Sequence, residues 1–296
     1  MTIGVLVMAY GTAAGPDDIE RYYTDIRGGR APSPELLEEL RERYAAIGNR
    51  FPLTEITEAQ AAGLERELGE GFRAYVGMKH SPPFVPDTVE KMEADGVERA
   101  VGIVMAPHYS RMSIGGYVER VLQADASIEV DVIESWATHP VYLEVLADRV
   151  RRALGGLPDH PLVVFTAHSL PARIVDEDDT YADQLRETAD AIARRLGLSD
   201  YTTGWQSAGR TPEPWLGPPL EELIVTAAKD HAAILVVPCG FVADHLEILY
   251  DLDVEAREAA ERAGIAFART ESLNAEPDFV AALGSVVRDR LASWDR

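Results

Sequence analysis

The chain has 296 residues, of which 46% are hydrophobic and 26% are charged, and this composition is typical of a globular protein rather than a disordered one. Fifty acidic against 28 basic side chains give a net charge of −22, which repels phosphate backbones, so we expect no nucleic-acid partner. Cys239 is the single cysteine, which excludes an internal disulfide and a cysteine-held iron–sulfur cluster.

The apolar stretches of the sequence are too short to cross a membrane. The longest, from Ala232 to Ala243, is interrupted by Pro238 and Gly240 and falls short of the ~18–20 residues that a spanning helix needs. The first apolar run lacks a basic flank, since the first positive charge is Arg21, and therefore predicts a strand rather than a signal peptide. We expect a cytoplasmic protein with no stable membrane anchor.

Short runs rich in Val and Ile alternate along the chain with longer amphipathic stretches, a pattern typical of parallel strands that are buried on both faces. The runs predict eight strands, at Ile3–Ala9, Phe72–Gly77, Ala100–Ala106, Ile128–Glu134, Leu162–Ala167, Tyr201–Trp205, Ala233–Val237 and Ile265–Arg269. Helical periodicity fills the gaps, as in Pro34–Ile47, Thr180–Leu196 and a last helix over Pro277–Trp294. The predicted fold class is therefore α/β with parallel sheets.

Three segments of the first half return, in the same order, in the second half. VLVMAYGT resembles LVVFTAHS, YVGMKHSPPFVPDTVEKM resembles TTGWQSAGRTPEPWLGPPLEEL, and IVMAPHYS resembles LVVPCGFV; these segments begin at Val5, Leu162, Tyr75, Thr202, Ile103 and Leu235. The echoes predict two similar α/β lobes. We place the N-terminal lobe at residues 1–136, the C-terminal lobe at residues 137–272, and a closing helix at residues 273–296.

Ligands of open parallel sheets bind beyond the carboxyl ends of the strands, so polar residues at those ends are the candidates for function. They are Tyr10, Gly11, Thr12, Lys79, His80, His108, Tyr109, Ser110, His168, Ser169, Gln206, Ser207, Asp244, His245 and Glu247. Neither GxGxxG nor GxxxxGK[ST] follows a strand, which disfavours nucleotide binding. No GxSxG elbow occurs, and neighbouring side chains on an extended chain point apart, so His168 and Ser169 do not indicate a serine hydrolase.

A histidine and a set of carboxylates are the strongest candidates for chemistry. His168 follows a buried run and would place a titratable imidazole at the cleft, although such a histidine can equally be a hydrogen-bonded loop residue. Glu247, Asp251 and Glu255 recur every four residues, which predicts one ridge of a helix. Like charges at this spacing repel unless a cation lies among them, and oxygen ligands suit a hydrated divalent metal. The alternative is a solvated helix face in an acidic protein.

Residues 21–50 carry an unusual share of the positive charge. They contain six arginines and five acidic residues, a local excess of one positive charge in an acidic chain. Arginine forks bind carboxylates in two-point contacts, so this segment is a candidate for docking an anion, unless the arginines only pair with neighbouring glutamates. Tyr22, Tyr23, Tyr44 and Phe51 lie in or beside the same segment and could cover a flat hydrophobic ligand or simply fill the core.

Eight motifs together carry a resemblance to a known family. They are VLVMAYGT, YYTDIRGGR, RYAAIG, YVGMKH, VMAPHYS, FTAHSLP, GWQSAGRTPEPWLGP and PCGFVADHLEILYDLD. In order and spacing they resemble the ferrochelatase family, and most closely its bacterial coproporphyrin members, over nearly the whole chain. The resemblance implies two Rossmann-like lobes with a porphyrin cleft between them. It also implies insertion of Fe²⁺ into a porphyrin, coproporphyrin III above all, to give coprohaem in haem biosynthesis.

The resemblance also implies roles for individual residues. His168 and Glu247 match the family's proton-accepting and metal-handling pair, and Asp251 and Glu255 match an acidic ladder that passes metal inward. Five further residues match positions that face the macrocycle or hold its propionates: Tyr10, Arg27, Arg30, Arg43 and Tyr117. One departure is Phe51, which stands where relatives commonly have a serine, so a hydroxyl that could bond a propionate is missing.

Three alternatives to a coproporphyrin III ferrochelatase remain open at this point. They are a ferrochelatase for protoporphyrin IX, a chelatase that inserts cobalt or nickel into another tetrapyrrole, and a non-catalytic tetrapyrrole carrier with a two-lobed cleft. We expect Fe²⁺ as a substrate, no prosthetic cofactor, no iron–sulfur cluster and a monomer.

Overall fold

The structure is a computed structural model that describes residues 2–294. Two four-stranded parallel sheets form its frame. The first sheet contains β1 (Ile3–Ala9), β2 (Phe72–Met78), β3 (Arg99–Val104) and β4 (Glu129–Ile133), and the second contains β5 (Leu162–His168), β6 (Tyr201–Gln206), β7 (Ala233–Val237) and β8 (Ala266–Arg269). All eight predicted strands are present. The largest difference is at β3, which ends two residues before its predicted end.

The two sheets have the same topology. The strand orders are β2-β1-β3-β4 and β6-β5-β7-β8, so each sheet places its second strand at one edge and its fourth at the other. In both sheets an isolated bridge joins the second strand to the residue before the next helix, from Met78 of β2 to Phe84 and from Trp205 of β6 to Pro219. The prediction of two similar α/β units is therefore confirmed for the sheets.

Helices flank both sheets. They are α1 (Ile19–Ile26), α2 (Pro34–Ala46), α3 (Leu53–Leu68), α4 (Val85–Ala94), α5 (Gly116–Leu122), α6 (Pro140–Leu154), α7 (Tyr181–Leu196), α8 (Leu220–Ala227), α9 (Leu246–Leu249), α10 (Arg257–Ala263) and α11 (Pro277–Leu291). The predicted helices at residues 34–47 and 180–196 agree with α2 and α7 within one residue at each end. None of the helices within residues 2–294 combines the length and apolar composition needed to cross a membrane.

The predicted helix with Glu247, Asp251 and Glu255 on one ridge is wrong as a continuous α-helix. The α-helical part is the single turn α9, and a π-helical turn over Asp251–Ala256 follows it before α10 begins. Glu255 N–H bonds the Tyr250 carbonyl five residues earlier, at 3.0 Å. This wider spacing inserts one extra residue into the turn, and such turns are common at functional sites.

The strand order decides where a ligand can bind. In each sheet the second strand lies on one side of the first strand and the third strand lies on the other. The connections therefore diverge between β1 and β3, and between β5 and β7, which opens a crevice at the carboxyl ends of these strands. The strands β1 and β5 are almost completely buried, because helices cover both faces of each sheet. Tyr10 directly follows β1 and His168 ends β5, so both side chains lie at the carboxyl end of the first strand of their sheet.

The last helix, α11, returns to the first sheet. Arg290 donates to the Val132 carbonyl at 2.8 Å, and the Trp294 indole donates to Asp131 at 2.7 Å, both on β4. The helix also packs against α3 and α6. The predicted lobe boundaries at residues 136 and 272 stay predictions, but α11 plainly bridges both halves of the chain.

Close packing between α3 and α11 gives a first testable prediction. A Cβ atom on Gly63 would lie 3.0 Å from a Val280 methyl group, so Gly63→Leu overpacks this contact and lowers the free energy of unfolding by about 1–3 kcal/mol. Thermal or urea unfolding measures the loss. Val280→Ala opens space opposite, so Gly63→Leu should destabilise that background less. Strictly additive losses in the double variant would contradict the packing described here.

Candidate active site

His168 and Glu247 are 79 residues apart in sequence and form a hydrogen-bonded pair in the structure. The imidazole ends β5, and the carboxylate lies in the single turn of α9. His168 Nδ1 is 3.0 Å from Glu247 Oε2, and the two side chains are 34% and 32% exposed. The pair predicted from sequence is therefore brought together by the fold, where a ligand in the crevice can reach it.

The two groups stabilise each other's charged forms. Burial acts to lower the pKa of His168, but the nearby Glu247 carboxylate outweighs it, and the pKa is raised. Burial acts to raise the pKa of Glu247, but His168 and His245 lower it well below its usual range. His245 Nε2 is 3.8 Å from the same carboxylate oxygen. The site therefore combines a carboxylate that is ionised at physiological pH with an imidazole that is more basic than usual.

Tyr10 lies across from this pair, on the first half of the chain. Its side chain is 43% exposed, and its ring packs 4.5 Å from the ring of His80. His80 Nδ1 in turn hydrogen-bonds Asp25 at 2.7 Å. Surrounding protein raises the pKa of Tyr10, and the carboxylates of Glu247 and Asp25 raise it further, so the phenol stays neutral in the physiological range.

Arg43 and Asp251 form an ion pair that joins α2 to the π-helical turn. Ser207 donates to the same carboxylate, and the Arg43 guanidinium lies 4.8 Å from the centre of the Tyr250 ring. Burial raises the pKa of Asp251 to about 6, opposed by Arg43 and supported by Glu247. The guanidinium predicted to face a substrate is thus engaged with the predicted acidic ladder.

A cluster of aromatic side chains from the first half of the chain packs beside the turn that carries Glu247. Tyr44 stacks on Phe51 with 4.4 Å between ring centres, and Tyr22 donates to the Gly11 carbonyl at 2.9 Å. Leu246, next to Glu247, packs against the cluster that contains Tyr22 and Tyr44. Phe51 therefore takes part in an aromatic stack, and whether a propionate contact is lost with the serine hydroxyl stays a prediction.

The other predicted substrate-binding residues lie apart from the pair. Tyr117 on α5 is buried beside Lys79, whose Nζ is 5.0 Å from its ring centre. Arg27 and Arg30 follow α1, and Arg30 Nε donates to the Arg27 carbonyl at 3.3 Å. Arg27 Nε is buried and finds no hydrogen-bond acceptor within residues 2–294. The substrate roles of these three residues stay predictions.

The four residues predicted to handle metal do not form one cage. Among the residues that the structure describes, no group of three or more His, Cys, Asp or Glu side chains is close enough to hold one metal ion. The four residues fall instead into the His168–Glu247 pair and, beyond it, Asp251 and the exposed Glu255. Both carboxylates influence the pKa of Arg43 together with Glu247, so all three acids lie near that guanidinium.

Several supporting residues carried no role in the sequence prediction. The buried Thr166 and Gln206 hydrogen-bond each other at 2.8 Å, Gln206 reaches the Glu247 carbonyl, and Tyr181 donates to the His168 carbonyl. Thr166 had one signal in the sequence, as a polar residue inside an apolar strand. Asp25, the partner of His80, had none, because the contact depends on how α1 packs.

Comparison with known proteins adds to this geometry. The sequence model of the ferrochelatase family matches residues 2–291. The chain belongs to the ferrochelatase family. It is 45% identical over 302 residues to the coproporphyrin III ferrochelatase of Halalkalibacterium halodurans, which covers 98% of this chain and 97% of that protein. It is 44% identical over 303 residues to the protein of the same name from Bacillus subtilis, with 98% of both chains covered. The predicted family and enzyme class are confirmed.

Solved structures support the fold. SirB from Bacillus subtilis, determined with Fe³⁺, has a TM-score of 0.61 at 12% identity and covers 98% of this ferrochelatase and 95% of its own chain. CbiX, described as the terminal enzyme for biosynthesis of sirohaem in denitrifying bacteria, has a TM-score of 0.58 at 14% identity, with 97% and 98% covered. At these identities the likeness shows the fold alone, and it confirms the predicted two-lobed α/β class.

Mutual stabilisation of the pair gives a second prediction. In Glu247→Gln, His168 loses the carboxylate that raises its pKa, while burial still acts to lower that pKa. The pKa of His168 should therefore fall below its wild-type value. Nuclear magnetic resonance of ¹⁵N-labelled histidine during a pH titration measures the shift. His108 is the control, because complete burial lowers its pKa to about 3 and keeps it neutral in both proteins. An unchanged His168 pKa would contradict the pairing.

Proposed function

We propose that this ferrochelatase inserts Fe²⁺ into coproporphyrin III and so forms coprohaem in haem biosynthesis. The observation that carries the proposal is the His168–Glu247 pair at the crevice, with Nδ1 and Oε2 3.0 Å apart. Support for the substrate comes from relatives named coproporphyrin III ferrochelatase, which are 44–45% identical over 98% of this chain. The reaction exchanges two pyrrole N–H protons for one Fe²⁺, so it needs a proton acceptor and a metal-binding group at the same place.

The hydrogen bond to Glu247 gives His168 the orientation that this chemistry needs. A neutral imidazole that donates Nδ1–H to the carboxylate presents the lone pair of Nε2 to the crevice. That lone pair can accept a pyrrole proton or ligate Fe²⁺. The imidazolium formed by proton transfer is stabilised by Glu247, as the raised pKa of His168 indicates.

The first half of the chain would supply the binding energy. A planar porphyrin hides its nitrogen lone pairs from an incoming ion, so the macrocycle must be bent, and the strain is drawn from contacts remote from the metal. Tyr10, which is 43% exposed, offers an aromatic surface for the ring. Arg27 Nε, buried without an acceptor among the described residues, would gain a partner in a propionate carboxylate.

The acidic residues of the π-helical turn would guide the metal. Glu255 is exposed, Asp251 is buried and Glu247 of the catalytic pair is 32% exposed, so we place Asp251 between the surface at Glu255 and the crevice at Glu247. Oxygen ligands that do not close around an ion bind it weakly enough to release it. The proposal gives Asp251 and Glu255 this transient role.

The alternatives have less support. SirB and CbiX share 12–14% identity with this chain. Similarity at that level supports a common fold but does not indicate a common metal or tetrapyrrole. A non-catalytic carrier has no use for a basic imidazole held by a partly buried carboxylate. Protoporphyrin IX remains the alternative substrate that kinetics must exclude.

The proposal extends to cofactor, assembly and compartment. Cys239 is the one cysteine and is buried, so we assign no iron–sulfur cluster, and Fe²⁺ acts as substrate rather than as a resident cofactor. We further propose a cytoplasmic monomer. Sedimentation analysis of the purified protein measures the assembly state directly.

The third prediction tests activity and substrate together. In anaerobic assays with Fe²⁺, the wild-type protein should metallate coproporphyrin III with a higher kcat/KM than protoporphyrin IX. His168→Ala should lower kcat by about 100-fold or more, the usual contribution of a positioned general base, and should leave porphyrin affinity nearly unchanged. The Soret and visible bands report metallation, and quenching of porphyrin fluorescence reports binding.

Other outcomes of this assay are informative. A Soret shift without metallation by the wild-type protein indicates a carrier, and preference for protoporphyrin IX replaces the proposed substrate. Turnover of His168→Ala near the wild-type rate would remove His168 from the mechanism. Arg195→Ala, a change on the outer face of α7, serves as a control for handling and folding.

The fourth prediction concerns the metal path. Asp251→Asn with Glu255→Gln removes two negative charges beside Arg43 and should raise the KM for Fe²⁺ about fivefold or more, since a single exposed or partly exposed charge contact contributes up to ~1 kcal/mol. Porphyrin KM should change little. Glu187→Gln with Glu58→Gln, which neutralises two exposed carboxylates on α7 and α3, controls for the change in net charge. An unchanged metal KM would make the acidic segment a solvated surface.

A further inference from the structure

Gln206 joins the two strand ends and the helical turn that carry the catalytic pair. It is the last residue of β6, is 3% exposed, and lies opposite His168 in the register of β5 and β6. We infer that Gln206 is a positioning residue whose side chain fixes the distance between His168 and Glu247. The inference rests on the proposed function of that pair.

The main chain of Gln206 holds the backbone at His168. Its carbonyl accepts the Ser169 N–H at 2.7 Å, directly after the imidazole. This bond extends the parallel ladder one residue past the end of β5, so the backbone that carries His168 cannot turn away from β6. Tyr181 completes the restraint, because its hydroxyl donates to the His168 carbonyl at 3.1 Å.

The side chain of Gln206 holds the backbone at Glu247. Its Nε2 donates to the Glu247 carbonyl at 3.1 Å, and its Oε1 accepts from the Thr166 hydroxyl at 2.8 Å. Only one orientation of the amide satisfies both partners, because the Thr166 hydroxyl offers a donor and the Glu247 carbonyl only an acceptor. Thr166 is completely buried, so water does not compete for this bond.

The segment of Glu247 needs such a restraint. Glu247 lies in α9, a helix of four residues that is followed at once by the π-helical turn, and one isolated helical turn has little stability of its own. Its partner His168 is on a rigid strand. The Gln206 amide donates the hydrogen bond that connects the carbonyl of Glu247 to the end of β6. A displacement of about 1 Å in a catalytic group can cost up to 10²-fold in rate.

The test compares two buried glutamines. Gln206→Met keeps the length of the side chain and removes its hydrogen bonds, and Gln60→Met does the same at a completely buried glutamine of α3 whose Nε2 donates to the Asn274 carbonyl at 2.7 Å. We expect Gln206→Met to lower kcat with Fe²⁺ and coproporphyrin III about tenfold or more, with porphyrin KM within about twofold. Gln60→Met should lower the melting temperature at least as much and leave kcat nearly unchanged.

Thr166→Val provides a milder second variant, since it removes only the hydroxyl that orients the amide. It should lower kcat in the wild-type background and have no further effect in the Gln206→Met background, because both changes act through one amide. Multiplied losses in the double variant would overturn the inference. So would a kcat loss in Gln206→Met no larger than that in Gln60→Met.

His168→Ala, assayed in the same series, separates this inference from the proposed function. If His168→Ala retains turnover, the proposed function of the pair fails. If His168→Ala abolishes turnover while Gln206→Met and Thr166→Val keep the wild-type kcat, the pair stands and the positioning role of Gln206 fails.

Discussion

One partly buried carboxylate, Glu247, constrains the rest of the site. Removing a carboxylate from water is costly unless cations and hydrogen bonds compensate for its lost hydration. Here His168 and His245 provide that compensation, and their effect exceeds the desolvation that would raise the pKa of Glu247. The turn of α9, the end of β5 and the end of β6 must therefore meet at one point. The fold around the crevice is arranged so that they do.

Duplication explains how the crevice arises, and divergence explains its chemistry. Both sheets have the same strand order, so each opens at the carboxyl ends of its first and third strands. At the carboxyl ends of β1 and β5, the first sheet presents Tyr10 and the second presents His168. The surroundings raise both pKa values, with different consequences. The phenol of Tyr10 stays neutral, whereas the imidazole of His168 becomes a stronger base. Two copies of one scaffold thus give a cleft with unlike walls.

The sequence predicts the strands well because continuous Val and Ile runs between turn residues have few alternatives in an α/β chain. It also predicts the His168–Glu247 pair, through motifs that resemble a known family. It does not predict the π-helical turn, since a repeat of acids every four residues fits a regular helix equally well. The contacts of Arg43 with Asp251 and of Gln206 with Thr166 escape prediction for another reason. Each joins segments far apart in sequence, so only packing brings them together.

Two carboxylates of one short segment acquire opposite properties from their neighbours. Glu247 faces two imidazoles and has a lowered pKa, whereas Asp251, four residues later, is buried deeply enough that its pKa rises to about 6 in spite of Arg43. A cation that approaches Asp251 must share it with the Arg43 guanidinium, because one carboxylate cannot fully compensate two positive charges in a low-dielectric site. Any metal that passes along this segment therefore weakens the contact between α2 and the π-helical turn. Electrostatics alone would therefore couple the proposed path of the metal to a contact that joins the two halves of the chain.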